Sequence, residues 1–415
     1  MADETKNVET RGTPQIPYEI WILVAAAFLI ALGYGLIAPL LPQFVVSFDV
    51  SMAAAGAVIS IFSVSRLLFA PMSGELINRI GSRRVYLTGL MTVAVTTGLV
   101  ALAQDYWHIF ALRALAGVGS TMFTVSAMGL IVRMSPPTIR GKCSATYATA
   151  FLLGNVVGPV LGASLAFLGF RWPFAIYGMG VGLAALFVWW RMPKDDIAAV
   201  QEDAKHTMSL HEAWKDNAYR AVLTSSFVQG WINFGVRVSV LPLFAASIFA
   251  NGAAASGFAL AAFAAGNALV LQFSGNLADR YGRKPLIISG LVGSGIFMGL
   301  LSFADTIPTL LIASALAGGA SGLINPAQQA VVADIIGNDR SGGKVVSTFQ
   351  MALDLGQIIG PIFIGALADA YSFHTAFLVC GAVSLIGIIA WSFGRETLPT
   401  ARPVLKRVKL SPNRK

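Results

Sequence analysis

Apolar runs close to 20 residues long, separated by short charged stretches, recur along the whole of this 415-residue chain. A helix rises about 1.5 Å per residue, so such a run is the length that crosses a bilayer core of about 30 Å. No water reaches the backbone there, and a helix is the form in which a single run satisfies its own N–H and C=O groups. Composition points the same way: hydrophobic residues make up 56%, charged residues 12%, and mean hydropathy is +0.70. A chain this apolar lacks the polar side chains to cover a water-facing surface, which excludes a soluble multidomain protein.

The runs fall near 20–44, 54–76, 85–103, 107–133, 141–165 and 172–192, and again near 219–247, 253–277, 285–303, 308–333, 344–369 and 374–395. The expected fold is an all-α polytopic membrane protein of twelve transmembrane helices. A six-helix bundle with a short N-terminal tail (1–192) and a second six-helix bundle (219–395) are joined by a polar linker (193–218) and followed by a basic tail (396–415). Net charge is +9 and the pI about 9.7, which would suit nucleic acid, but position decides otherwise. Of the 29 Lys and Arg, all but Arg66, Arg113, Arg171 and Arg237 fall in the tails, the linker or the loops and helix ends on their side. The positive-inside rule then places both termini in the cytoplasm of a plasma-membrane protein, and no nucleic-acid partner is expected. The first 18 residues are polar and mixed in charge, so no removable signal peptide is expected.

The two sets of runs repeat one another. Gly74, Leu76, Arg79, Gly81 and Arg83 are followed 201 residues later by Gly275, Leu277, Arg280, Gly282 and Lys284. Ala114-Leu115-Ala116-Gly117 returns as Ala315-Leu316-Ala317-Gly318 at the same offset, and Gly158-Pro159 returns as Gly360-Pro361 at 202. A duplicated six-helix unit in one orientation is the parallel repeat of transporters, whose substrate site lies between pseudo-symmetric halves near the midplane.

Several motifs carry a resemblance. Gly275-Asn276-Leu277-Ala278-Asp279-Arg280-Tyr281-Gly282-Arg283-Lys284 follows G-x-L-a-D-r-x-G-r-k, and the first-half counterpart, from Gly74 through Asn78, Arg79 and Gly81, carries Asn78 in place of the aspartate. Leu32 to Pro42, Arg113 to Gly119, and Gly154 to Ala163 with Gly158-Pro159 at its centre are three further signatures. Together they resemble the major facilitator superfamily, and within it the twelve-helix drug and proton antiporters, over nearly the whole chain. The resemblance implies conformational gating by Gly74, Asn78, Arg79, Gly81, Gly154, Gly158, Pro159, Gly275, Asp279, Arg280 and Gly282. It also implies that the aspartate of the motif faces a helix N-terminus in the opposite half, a latch that neutral Asn78 would weaken. Glycines four apart with a proline suggest a pliable seam between halves in the fifth span.

Ionisable groups inside a span cost about 2.5–3.5 kcal/mol on the insertion scale, so Arg66, Arg113, Arg237 and Asp354 call for pairing, hydration or function. Gln229, Asn233 and Arg237 recur every fourth residue and share one helix face, while Ser321, Asn325 and Gln328 form a comparable stripe. The resemblance places the helices bearing them around a central cavity. Tyr34, Arg66, Arg113, Gln229, Asn233, Arg237, Asn325 and Gln328 are therefore the expected substrate residues, with amides bonding helix to helix as the competing reading. Asp354, about 15 Å from its helix start, is the expected proton-coupling site. A gradient-driven transporter follows, since no G-x-x-x-x-G-K-[ST] loop is present. Proton-coupled efflux of amphipathic small molecules leads; export or flipping of an anionic or lipid-linked metabolite is the alternative, followed by uptake or sensing. Catalysis, cofactors and metals are not expected. Membrane lipids are expected partners, and the chain is expected to act as a monomer.

Overall fold

The computed structural model describes residues 16–136, 139–192, 208–337 and 342–398. Helices account for nearly all of them. In the first half these are α1 (Tyr18–Ile37), α2 (Leu41–Val46), α3 (Met52–Ile80), α4 (Ser82–Val100), α5 (Tyr106–Met134), α6 (Arg140–Ser164) and α7 (Arg171–Arg191). A short α8 (Leu210–Lys215) leads into α9 (Asn217–Gln229), a π-helical segment (Gly230–Val236) and α10 (Arg237–Ile248). Then follow α11 (Gly252–Tyr281), α12 (Arg283–Leu301), α13 (Ile307–Ile336), α14 (Gly343–Ala370) and α15 (Phe373–Phe393).

Among the described residues eleven helical stretches are long and apolar enough to cross a membrane, Asn217–Ile248 counting as one. Helix α4, of 19 residues, is as long as a span but less apolar, since it carries Arg83, Arg84 and four threonines. Thr88, Thr92 and Thr96 donate to carbonyls one turn back, those of Arg84, Thr88 and Thr92, at 2.6–3.0 Å, so these hydroxyls need no water. The chain is thus an all-α, multi-pass membrane protein. Its outer face carries large exposed apolar side chains such as Leu68, Leu183 and Leu269, as lipid contact requires. Trp172 and the pair Trp189 and Trp190 stand exposed at opposite ends of the 21-residue α7, in the position of interfacial anchors.

Two expected spans are not uniform α-helices. The run near 20–44 breaks after Ile37, because Pro39 and Pro42 lack the N–H that would continue the ladder, and Pro42 instead sits in the first turn of α2. The run near 219–247 widens into the π segment, at whose end the Arg237 N–H bonds the Ile232 carbonyl five residues back. The repeated motif is largely helical: its residues complete α3 and α11, and the turn shrinks to Gly81 (φ 88°) and Gly282 (φ 103°), a left-handed backbone that glycine adopts without strain.

In the first half α1 packs on α6 and α7, α4 on α5 and α7, and α3 on α5. In the second, α9 packs on α14 and α15, α12 on α13 and α15, and α11 on α13. Contact between the halves runs along two seams, α3 with α14 and α6 with α11. The near end of the molecule is the one where α1 starts and α15 finishes; the other is the far end. The α3–α14 seam closes from the far end inward. Asp369 accepts the Met52 and Ala53 N–H groups at 3.0 Å each, Ser60 donates to the Ile358 carbonyl at 2.6 Å, and Ser63 donates to Gln357 at 3.1 Å. Toward the near end Gly74 and Gly275 each face open space with nothing within 4 Å.

Candidate functional site

The charges in the spans sort into two groups at the middle of the molecule. Arg66 of α3 lies within electrostatic reach of Asp354 of α14, and Gln350 approaches the same carboxylate at 3.5 Å. Asp354 is buried, and both residues lie three positions nearer the near end than the Ser63–Gln357 hydrogen bond across the seam. An ionised acid beside an arginine of the other half makes the closeness of the halves depend on its charge.

The second group is cationic. Arg113 of α5 is 4% exposed and its guanidinium lies over the Phe62 ring, 4.3 Å from the centroid. Arg237 of α10 is 9% exposed and lies over Phe263, 3.0 Å from the centroid. Tyr34 of α1, half-buried, is within electrostatic reach of both arginines, and Tyr177 of α7 joins Arg113. Neither arginine makes an ion pair among the described residues, and Arg113 Nε with Arg237 Nε and Nη1 are buried donors without a partner. A ring face returns up to about 2 kcal/mol to a desolvated cation, less than the several kcal/mol that burial of the charge costs.

The amides divide differently. Asn233 donates to Ser321 Oγ at 2.9 Å and Gln229 approaches the same oxygen at 3.5 Å, so both tie their helix to α13 within the second half. Gln328 has no exposed surface and donates to Ser225 Oγ at 2.8 Å, an oxygen that also takes the Trp391 indole N–H at 3.0 Å. These three amides therefore bond helix to helix, and Asn325 is half-buried on α13. Gln229, Asn233 and Arg237 are all buried, the widened π turn intervening between them.

Of the gating residues, Gly154 and Gly158 pack against α1, a Cβ at Gly154 lying 2.6 Å from the Phe28 carbonyl and one at Gly158 lying 2.8 Å from Gly35. The expectation that this motif forms the seam between halves is refined: its glycines let α6 approach α1 inside the first half, while its Pro159 and Ala163 lie on the α6–α11 seam. The glycines on the seams are Gly257 of α11, where a Cβ would lie 2.9 Å from the Pro159 carbonyl, and Gly56 of α3, where a Cβ would collide with the Pro361 carbonyl. Arg79 pairs with Glu75 at 2.9 Å, Asp279 pairs with Arg283 on its own side, and Arg280 stacks on Tyr281. The side chain of Asn78 lies outside the described residues, as do most of the linker and the tail beyond residue 398.

Sequence reasoning passed over Phe62, Phe263 and Asp369. The 201-residue offset carries Phe62 onto Phe263, which would have flagged the two rings as a repeated feature. Asp369 is an acid in the last turn of an apolar helix, where the dipole disfavours it unless another helix start is near.

The model for the Major Facilitator Superfamily matches residues 23–250 and 225–413. Multidrug resistance protein MdtG of Escherichia coli O81 (strain ED1a) is 27% identical over 402 residues, covering 93% of this chain and 97% of that protein. Quinolone resistance protein NorA of Staphylococcus aureus (strain MRSA252) is 24% identical over 376 residues, covering 89% and 95%. Among solved structures, a bacterial homologue of the human lysosomal transporter Spinster, inward-facing and unoccupied, superposes with a TM-score of 0.74 at 17% identity, covering 91% of this chain and 95% of that one. A POT family transporter in complex with 5-aminolevulinic acid gives 0.74 at 12% identity, covering 92% and 97%. With both halves matched by one family and the helices arranged as in its transporters, the chain belongs to the Major Facilitator Superfamily and is a secondary transporter of that fold.

Proposed function

We propose that the protein exports amphipathic small molecules from the cytoplasm in exchange for protons, by alternating access between two pseudo-symmetric six-helix bundles. The near end is the cytoplasmic one in this reading, so the present state is open inward, and a single chain is the working unit in the plasma membrane. One observation carries the proposal. Asp354 stands on the seam beside Arg66 of the other half. When the far end opens, Asp354 leaves Arg66 and can take a proton from outside. When the seam closes again, Arg66 attracts the ionised carboxylate, and the proton is released inward. The pseudo-symmetry is supported by pairings that recur between the halves, such as α4–α5 with α12–α13, and α3–α5 with α11–α13. The direction of transport is supported by the names of relatives, which confer quinolone or multidrug resistance. The repeated glycine and arginine motifs at the near end, where Gly74, Arg79, Gly81, Gly275, Asp279, Arg280 and Gly282 sit, are the proposed gate when that end closes.

The test is proton release in energised inverted vesicles offered cationic, neutral and anionic amphiphiles while lumenal pH is followed. Wild type is expected to raise lumenal pH on addition of a substrate, and Asp354→Asn to abolish that response. Equal responses from both proteins would move coupling away from Asp354, and silence from both would overturn the exchange.

A further inference from the structure

We infer that the transported molecule is an organic anion, its oxyanion headgroup held between Arg113 and Arg237 and its apolar body lying against Phe62, Phe263 and Tyr34. The inference rests on the proposal that the centre of the molecule carries the substrate, and it adds the chemical class. Four observations meet at one place. The two guanidiniums belong to opposite halves, and both are within electrostatic reach of one phenol, Tyr34. Both are more than nine-tenths buried, and three of their donors have no partner. Asp354, an acid well inside a span, lies within electrostatic reach of Arg66 and is not among the electrostatic partners of either arginine. Finally, each guanidinium rests on the face of a phenylalanine at equivalent positions of the repeat.

An arginine buried for structural reasons ends on a carboxylate or a row of carbonyls, and one that snorkels reaches the interface. Arg113 and Arg237 do neither at the donors named. Two cations within electrostatic reach of a common phenol repel each other and any cationic ligand, whereas a carboxylate, sulfonate or phosphate between them satisfies the open donors with charge-assisted hydrogen bonds. The rings beneath fix the guanidinium planes and add apolar contact, which selects a headgroup attached to an aromatic or aliphatic body rather than a free inorganic anion. Because the two arginines come from different halves, an anion bridging them also links the moving parts.

The experiment uses the full chain in lipid nanodiscs with no gradient, and three ring-matched probes: naphthoate, naphthamide and naphthyltrimethylammonium. Equilibrium binding by calorimetry is expected to favour naphthoate over the other two by about tenfold or more in the wild type. Arg237→Gln and Arg113→Gln should each weaken naphthoate by about tenfold and remove the preference for charge, while Arg237→Lys should keep the preference at reduced affinity. Thermal unfolding of each variant checks that it is folded, and the wild-type ranking stands without any variant. Preference for the cation or the neutral amide, a preference that survives both glutamine variants, or no saturable binding of naphthoate would each overturn the inference. Binding without a gradient is read separately from proton release, so loss of coupling in vesicles with naphthoate binding intact would count against exchange and not against the anion.

Discussion

Two carboxylates show what a single residue can hold together at the ends of this molecule. Asp369 places its two oxygens on the first N–H groups of α3, across the seam, where an anion also meets the positive end of the helix dipole. Glu396, just past α15, does the same for α12 through Arg283 and Lys284 at 3.0 Å, and its Oε1 also takes the Thr397 and Leu398 N–H groups at 2.9 Å. Partial burial pushes the Glu396 carboxyl up, but the four backbone donors outweigh it and hold the group below the ordinary glutamate value. A carboxyl depressed in the folded state stabilises fully above its unfolded pKa, and that contribution is lost as pH falls through the lower folded value. Glu396→Gln should therefore lower stability by about 1 kcal/mol at neutral pH, solvent screening keeping the effect small. Thermal unfolding in detergent is expected to show the variant and wild type converging below about pH 4, and a constant gap across pH would show that the charge is not what matters. Neither role was legible in the sequence: the motif containing Asp279 was, but what covers the start of α12 comes from 113 residues further on.

At the scale of helices, glycine has two separate duties that its spacing does not distinguish. Gly154 and Gly158 seat α6 on α1, whereas Gly56 and Gly257 let the halves meet at the carbonyls of Pro361 and Pro159. A bulky side chain should act differently at the two places. Gly158→Leu is expected to cost about 1–3 kcal/mol of stability, as overpacking does, with the balance of open and closed states unchanged. Gly56→Leu is expected to wedge the α3–α14 seam, raise labelling of cysteines placed at the far end, and cut transport by about tenfold. Cysteine accessibility and thermal unfolding measured on both variants check this, and equal accessibility changes would refute the separation of duties. The polar stripes illustrate the same ambiguity. Their 3.6-residue period put Gln229, Asn233 and Arg237 on one face, but only contact shows that the first two spend their amides on Ser321 while Arg237 turns to Phe263.

For the whole molecule, an anionic substrate leaving against one entering proton would carry two charges in the same electrical sense per cycle, about 2.3 kcal/mol per charge at 100 mV. Collapsing the membrane potential at constant pH difference, with potassium and an ionophore, should then slow export more steeply for naphthoate than for its neutral amide. An equal potential dependence for the two would mean that the net charge moved is independent of the substrate. The number of long helices, their approximate bounds, the duplication and the family motifs were all set by the sequence, because backbone satisfaction in lipid and helical period are local and the repeat is written in residue order. Tertiary structure decided the partners: Arg66 with Asp354, Arg113 with Phe62, Gln328 with Ser225, and Gly257 rather than Gly158 on the seam. The physical reason is that a membrane helix is apolar toward lipid and toward its neighbours alike, so its sequence fixes which residues share a face but not how that face is turned within the bundle.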